Sequence, residues 1–444
     1  MATRGGTQGR QEVTLRFAAL AGVLVLTGSA AAQDEPVGLP LRAGAAVVKI
    51  AAPKGTPLAG YSQRGPFNRS QGEIAPVEAR ALVVVGQGGR PRVGLVALDI
   101  LIVTPTLRQA IRERVAPLDL DGLVVAATHT HSGPGGYSES RITGAAVLGW
   151  HHAEVLRALT DAAGSALENA TRALAPAALG VAIASSPSLA ENRRHPGGPM
   201  DPSIPVLRVD GASGAPIATL FSLAAHPTLL RYDNARLAPD YPGPARELVE
   251  AKRGGVALFV AGPLGDQKPR RATPADAPPD PAAQLRNVRA LGERLGALVI
   301  EASELATPSE DARVDFAEIQ YRPPPIDVHG SCAGWVFAPL YHLAAQTMIP
   351  EETPLAAARL GGLRVLASPY ELGAEVAARI RSRVSGPLML VAHANDWLGY
   401  LLEPPDFASG GYEACMGFHG DDAALPFAEA AAQLLETPPL SDPR

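Results

Sequence analysis

The chain has 444 residues with 46% hydrophobic content, enough to bury a large core in one big domain or two smaller ones. Lys and Arg number 39 against 44 Asp and Glu, a net charge of −5, and no basic stripe interleaved with aromatics runs through the sequence. The electrostatic footprint of nucleic-acid binding is therefore missing, and nucleic acid is not expected as a partner.

At the N-terminus, Arg4, Arg10 and Arg16 accompany an apolar run from Phe17 to Thr27 and the small residues Ser29 to Ala32. This order reads as a secretory signal peptide over residues 1–32, and the run falls short of the roughly 20 residues a membrane span needs. No later stretch is long and apolar enough to cross a bilayer, so residues 33–444 are expected as a mature chain, secreted or periplasmic. Strands are expected at Ala81–Val85, Val93–Leu98, Leu123–Ala127, Ile217–Ala225, Val256–Ala261, Leu363–Ala367 and Met389–Ala392. Helices are expected at Thr106–Val115, Ala153–Asn169, Ala283–Ser303, Leu372–Val384 and Leu425–Leu435. Short apolar runs alternating with amphipathic stretches mark an α/β chain. Pro269–Pro281 and Ala306–Pro325, rich in Pro, Asp and Ala, read as long surface loops, and no internal repeat is visible.

Five polar clusters each fall just after an expected strand: His129 with His131, His226, Gly265-Asp266, Glu371, and Asn395 to Tyr400. In α/β sheets, ligands gather beyond the carboxyl ends of strands, so these clusters are expected to converge. His129 and His131 are one residue apart and on an extended chain point to the same side, toward one ion or one substrate. The Ser132-Gly133-Pro134-Gly135-Gly136 run after them reads as a tight turn bringing backbone close to a ligand. Each residue also has a plain structural reading: His226 as a donor to a backbone carbonyl, and Glu371 as a carboxylate at a helix N-terminus. Trp397 reads as packing.

Taken together, the motifs resemble the neutral ceramidase family, the neutral or alkaline non-lysosomal ceramidases. The resemblance runs from about Ala43 to Gly420 and rests first on the stretch from Ala127-Thr128-His129-Thr130-His131 to Gly136-Tyr137. Further matches are Ala59-Gly60-Tyr61, Glu191-Asn192-Arg193, Ala225-His226, Asp240-Tyr241-Pro242-Gly243, Ala261 to Asp266, Pro369-Tyr370-Glu371, and Asn395-Asp396 through Tyr400 to Tyr412-Glu413. It implies mixed β-sheets flanked by helices, with His129, His226, Glu371 and Tyr400 as Zn2+ ligands and a water completing the shell. His131, Arg193 and Tyr412 would contact the scissile amide, binding its carbonyl or the developing oxyanion. The implied reaction is hydrolysis of an N-acyl bond, of ceramide or a related small-molecule or lipid amide. Two imidazoles, a carboxylate and a phenol form a sound N/O set for zinc.

The chain departs from the family in two places. The family's nucleophilic serine, two residues after the Gly-Asp and followed by proline, corresponds to Lys268 in Gly265-Asp266-Gln267-Lys268-Pro269. That leaves attack by zinc-activated water as the simplest route, with Lys268 as a cation for an anionic substrate group, a desolvated acid or base, or the mark of a silent homologue that binds a lipid or anion. The family's C-terminal immunoglobulin-like domain is also not found before Arg444. Cys332 and Cys415 either pair or stay free. The remaining histidines, His151, His152, His195, His329, His342, His393 and His419, read as structural or exposed, with His419 kept as a candidate behind Tyr412.

Overall fold

The computed structural model describes residues 39–271, 280–332 and 334–436. The signal-peptide reading and much of Pro269–Pro281 lie outside them. Sixteen strands are present among the described residues: β1 (Arg42–Lys49), β2 (Glu78–Val85), β3 (Arg92–Leu98), β4 (Gly122–Ala127), β5 (Ala175–Ser185), β6 (Ala190–Asn192), β7 (Ser203–Gly211), β8 (Pro216–Leu223), β9 (Val256–Ala261), β10 (Gln267–Pro269), β11 (Val314–Tyr321), β12 (Thr353–Leu360), β13 (Leu363–Ala367), β14 (Glu371–Leu372), β15 (Leu388–Val391) and β16 (Tyr400–Leu401). The longer helices are α1 (Pro105–Val115), α2 (Ala153–Arg172), α3 (Pro242–Arg253), α4 (Pro281–Leu305), α5 (Gly334–Met348), α6 (Ala374–Arg381) and α7 (Ala424–Glu436).

One eight-stranded sheet runs β4-β3-β2-β1-β5-β7-β8-β9, and a four-stranded sheet runs β11-β12-β13-β15. Side-chain alternation packs them face to face. Leu82, Val84, Leu95, Val124 and Ala126 of the large sheet share a core with Ala356, Ala358, Val365 and Met389 of the small one. Their neighbours Val83, Val96, Val125, Leu366 and Leu390 point the other way and belong to the core that contains helix residues such as Leu107, Leu159, Ile380 and Phe427. Strands buried on both faces read as continuous apolar runs, which is why these are visible in sequence.

In the two larger sheets most pairs are antiparallel, but β3/β4, β8/β9 and β13/β15 are parallel. Their carboxyl ends meet. The Asn395 side-chain oxygen accepts from Val125 N–H at 2.9 Å, Asn395 N–H donates to Val125 carbonyl at 2.8 Å, and Ala392 N–H donates to Ala261 carbonyl at 2.9 Å. Beyond the end of β3, buried Asp99 receives both Nη atoms of buried Arg246 at 2.9 Å, Glu78 N–H at 2.9 Å and Thr128 Oγ1 at 3.1 Å. Small strands β6/β10 and β14/β16 line the same end.

Two sequence expectations are corrected. The stretch read as a surface loop at Ala306–Pro325 contains β11, an edge strand whose Asp315, Glu318 and Gln320 break the apolar alternation that would mark it. Glu371 does not open a helix: it lies in β14, two residues before Gly373 caps α6, so helix polarity does not account for it. The two cysteines are bonded to each other, tying the segment before α5 to the helical turn Gly411–Cys415 that carries Tyr412.

Removing one partner of a buried ion pair leaves the other charge stranded, at a cost of about 3–5 kcal/mol. Arg246→Met is therefore expected to lower unfolding free energy by that amount in chemical denaturation. A loss under 1 kcal/mol would show that Asp99 finds other compensation.

Candidate metal centre

The residues singled out in sequence come together at the convergent strand ends. His129 follows β4 in a left-handed conformation, φ 64°. Its Nδ1 donates to the Leu101 carbonyl at 2.7 Å, turning Nε2 inward. His226, beyond β8, donates from Nδ1 to the Gln267 carbonyl at 2.9 Å. Such carbonyl contacts fix tautomer and ring direction in metal-binding histidines, leaving Nε2 with a free lone pair.

Glu371 faces both. Its Oε2 lies 3.4 Å from His226 Nε2 and 3.6 Å from His129 Nε2, while Tyr400 Oη is 3.3 Å from His226 Nε2. The parallel bridge between β14 and β16 puts Glu371 directly opposite Tyr400. Trp397 Nε1 donates to Glu371 Oε1 at 2.9 Å, and Oε2 is buried with no hydrogen-bond partner among the described residues. Tetrahedral zinc with bonds of ~2.0–2.1 Å sets its ligands roughly 3.3–3.4 Å apart. The separations from His226 Nε2 to Glu371 and Tyr400 and from His129 Nε2 to Glu371, 3.3–3.6 Å, are near that spacing, and His129 falls in both groups of side chains whose ligand atoms lie within 4.8 Å of one another, with His131 and His226 and with Glu371 and His393.

Around this set, His131 Nε2 lies 3.4 Å from His129 Nε2, its main-chain N–H donates to Pro227 carbonyl, and no described partner reaches its buried Nδ1. Arg193 follows β6. Its guanidinium donates to Gly265 carbonyl at 2.9 Å and Tyr400 Oη at 3.0 Å, and pairs with Glu413 at 2.6 Å. Tyr412 is 57% exposed, with its ring 5.8 Å from that of Tyr400.

Lys268 is held differently. It pairs across β6/β10 with Glu191, Nζ to Oε1 3.2 Å, and its side chain is 41% exposed. This is not a desolvated lysine, so the acid/base reading of Lys268 lacks the burial it requires.

Burial, then the charge of His393, pushes the His129 imidazole well below its ordinary value; burial and Arg193 bring His226 down to about 4. Burial opposes ionisation of Glu371, but His129 and His393 outweigh it and hold the carboxyl well below its ordinary value. An ionised Glu371, and the Nε2 lone pairs left free by the Nδ1 contacts of His129 and His226, are what metal binding requires.

The turn after His131 does something other than expected. A Cβ on Gly135 would stand 2.1 Å from the Leu148 carbonyl, so here the glycine admits another strand of the chain's own backbone. Gly265 likewise admits the Glu371 segment, whose carbonyl would be 2.5 Å from a Cβ. Asp266 accepts from Ala374 N–H at 3.0 Å and from Asn192, which fastens the start of α6 to β6. Three placements were not legible: Trp397 on Glu371, Gln267 on His226, and His393, fully buried 3.4 Å from Glu371 Oε1. His419 instead bonds the Pro324 carbonyl at 2.8 Å and packs on Tyr370.

Residues 44–269 match the family model described as neutral/alkaline non-lysosomal ceramidase, N-terminal. The chain belongs to this family. The match contains His129, His131, Arg193, His226 and Lys268, whereas Glu371, Tyr400 and Tyr412 lie beyond it. A curated relative, the neutral ceramidase of Pseudomonas aeruginosa, is 27% identical over 273 residues, covering 55% of this chain and 40% of that protein's length. Crystallographic neutral ceramidase from Pseudomonas aeruginosa has the same fold, with a TM-score of 0.77 at 20% identity over 91% of this chain and 76% of that one. A ceramidase complexed with C2 superposes with a TM-score of 0.73, also at 20% identity, over 91% and 78%. No helix among the described residues is long and apolar enough to cross a membrane.

Asp396, beside this centre, accepts from Thr353 Oγ1 at 2.8 Å and from Trp397 N–H at 2.8 Å. Burial pushes its carboxyl up from 3.8 to about 6. The folded state then holds a proton that the unfolded state has released. This group's contribution to stability is complete below pH 3.8, and is lost as pH rises through about 6. Asp396→Asn keeps a partner for Thr353 and removes the charge. Its unfolding free energy is expected to exceed wild type at pH 8, by up to about 3 kcal/mol, with the gap closing toward pH 4. A gap independent of pH would contradict the assignment.

Proposed function

We propose that the chain is a secreted zinc-dependent amidohydrolase that cuts an N-acyl linkage, with ceramide or a related N-acyl lipid as substrate. The observation that carries the reading is Glu371 Oε2, buried without a described partner within 3.6 Å of two imidazole nitrogens whose other nitrogens are locked to carbonyls. His129, His226, Glu371 and Tyr400 would hold the ion, and imidazole with oxygen donors favours zinc over magnesium or calcium. When bound, zinc acidifies water at neutral pH and polarises a carbonyl.

The chain's own groups divide the remaining work. His131 has no carbonyl fixing its Nδ1, which supports a place on the substrate side: Nε2 would hydrogen-bond the amide carbonyl. Arg193, buttressed by Glu413, holds a positive charge against the centre. Burial alone would lower its pKa, but Tyr400 and Glu413 outweigh that and raise it. It is thus a constant cation for a developing oxyanion. Tyr412, exposed at the edge, would donate its phenol to the same oxygen. Lys268, in an ion pair, offers no hydroxyl at the family's serine position, so the nucleophile would be water. The second reading, a silent homologue that binds a lipid or anion, rests on that missing hydroxyl alone, since Glu191 already pairs with the Lys268 charge.

Purified protein is expected to hold about one zinc and to hydrolyse a member of a fluorogenic panel of N-acyl amides that includes ceramide. His129→Ala should lose both metal and turnover. His131→Ala should keep the metal and lose about 10²-fold or more in kcat/KM. Full activity after chelation sinks the zinc reading. A zinc-loaded wild type that turns over nothing, while Lys268→Ser does, supports the silent homologue instead.

A further inference from the structure

The fold repeats one unit three times: an antiparallel strand pair, a helix, and a third strand parallel to the second. The units are β2-β3-α1-β4, β7-β8-α3-β9 and β12-β13-α6-β15. His129 stands two residues beyond Ala127, the last of β4, and His393 two residues beyond Val391, the last of β15. Both have positive φ, 64° and 54°, a strained conformation for residues other than glycine. The third unit thus places His393 where the first places His129, and the two rings stack at 3.9 Å and 16°.

Stacking separates their roles. An imidazole nitrogen binds an ion along a lone pair in the ring plane, so two nearly parallel stacked rings do not meet on one ion at bond length. The His226 ring, at 72° to His129, is free of that restriction. His393 is therefore no co-ligand of His129. Its Nε2 lies 3.4 Å from Glu371 Oε1, the oxygen that already accepts from Trp397. Both its ring nitrogens are buried and lack a hydrogen-bond partner among the described residues, a placement that is costly unless the ring acts on a neighbour.

Resting on the zinc-hydrolase reading, we infer that His393 is a positioning residue that donates from Nε2 to Glu371 Oε1. With Trp397 it keeps the carboxylate turned so that Oε2 alone faces His129 and His226. Glu371 is thereby a one-oxygen donor, and the remaining side of the centre is left for water and substrate. At 3.4 Å the contact is at the long limit for a hydrogen bond.

The test uses the full chain, stripped of metal and titrated with zinc and with cobalt(II) against a competing chelator. His393→Ala is expected to bind zinc 10–100-fold more weakly. Its cobalt form should show the weaker visible absorption of higher coordination, as Oε1 swings toward the ion. His393→Gln, whose side-chain amide N–H can reach the same oxygen, should restore both affinity and spectrum. An unchanged cobalt spectrum and affinity in His393→Ala overturns the inference. So does a five-coordinate wild-type spectrum that becomes four-coordinate in that variant, since His393 would then be a ligand. If circular dichroism shows His393→Ala unfolded, Trp397→Phe removes the other donor to Oε1 and must give the same spectral change. Failure of wild type to take up either metal sinks the zinc reading itself, whereas normal uptake with unaffected variants sinks only the role of His393.

Discussion

A parallel strand pair leaves two chain ends pointing the same way with carbonyls and N–H groups that the ladder no longer pairs. Three such pairs end at one place here, inside the protein, where water does not reach every orphaned group. The solutions are local: the Asn395 carboxamide binds the main chain of Val125, Tyr241 Oη donates to the Ala225 carbonyl, and Asp99 takes Glu78 N–H with Thr128 and Arg246. The same requirement shapes the histidines. The carbonyls of Leu101 and Gln267 accept the Nδ1 protons of His129 and His226, so satisfying the backbone also sets the tautomers.

The two carboxylates at this end show how environment divides like groups. Glu371 and Asp396 are both buried, and burial pushes both toward the neutral acid. Glu371 is surrounded by imidazoles and remains an anion. Asp396 has a hydroxyl and an amide for partners, and the charge of Arg108 is the smallest of its influences, so burial prevails. A metal-binding function fits the first environment and not the second, although the residues stand only 25 positions apart in sequence.

The legible strands are continuous apolar runs buried on both faces: Val256–Ala261 and Leu363–Ala367 have the boundaries those runs suggest. The strands β1, β5, β7 and β12 were not, since runs such as Arg42–Lys49 mix alanine, glycine and charge and carry no clean period. At the site, the polar residues following strong strands were readable as a converging set, and the resemblance divided them into roles. What escaped were contacts that depend on ring direction and backbone conformation. Nothing in Ala392-His393-Ala394 announces a left-handed residue stacked on His129, and Trp397 reads as packing until its N–H is seen on Glu371. Lys268 shows the reverse: its identity is plain in sequence, but only the β6/β10 pairing reveals that Glu191 occupies its charge.

The candidate donors come from two sheets that pack on one another. His129 and His226 follow strands of the large sheet, while Glu371 follows β13 of the small sheet and meets Tyr400 across β14/β16. An ionised carboxylate oxygen buried without a hydrogen-bond partner is unfavourable by itself, and the single bond from Trp397 reaches only the other oxygen. On the proposed reading a cation resolves the conflict, because four donors from both sheets would then share one doubly charged ion. The interior that makes Glu371 costly when alone is what makes it a strong ligand when paired, and the sheets that supply the donors would be joined by the same bonds.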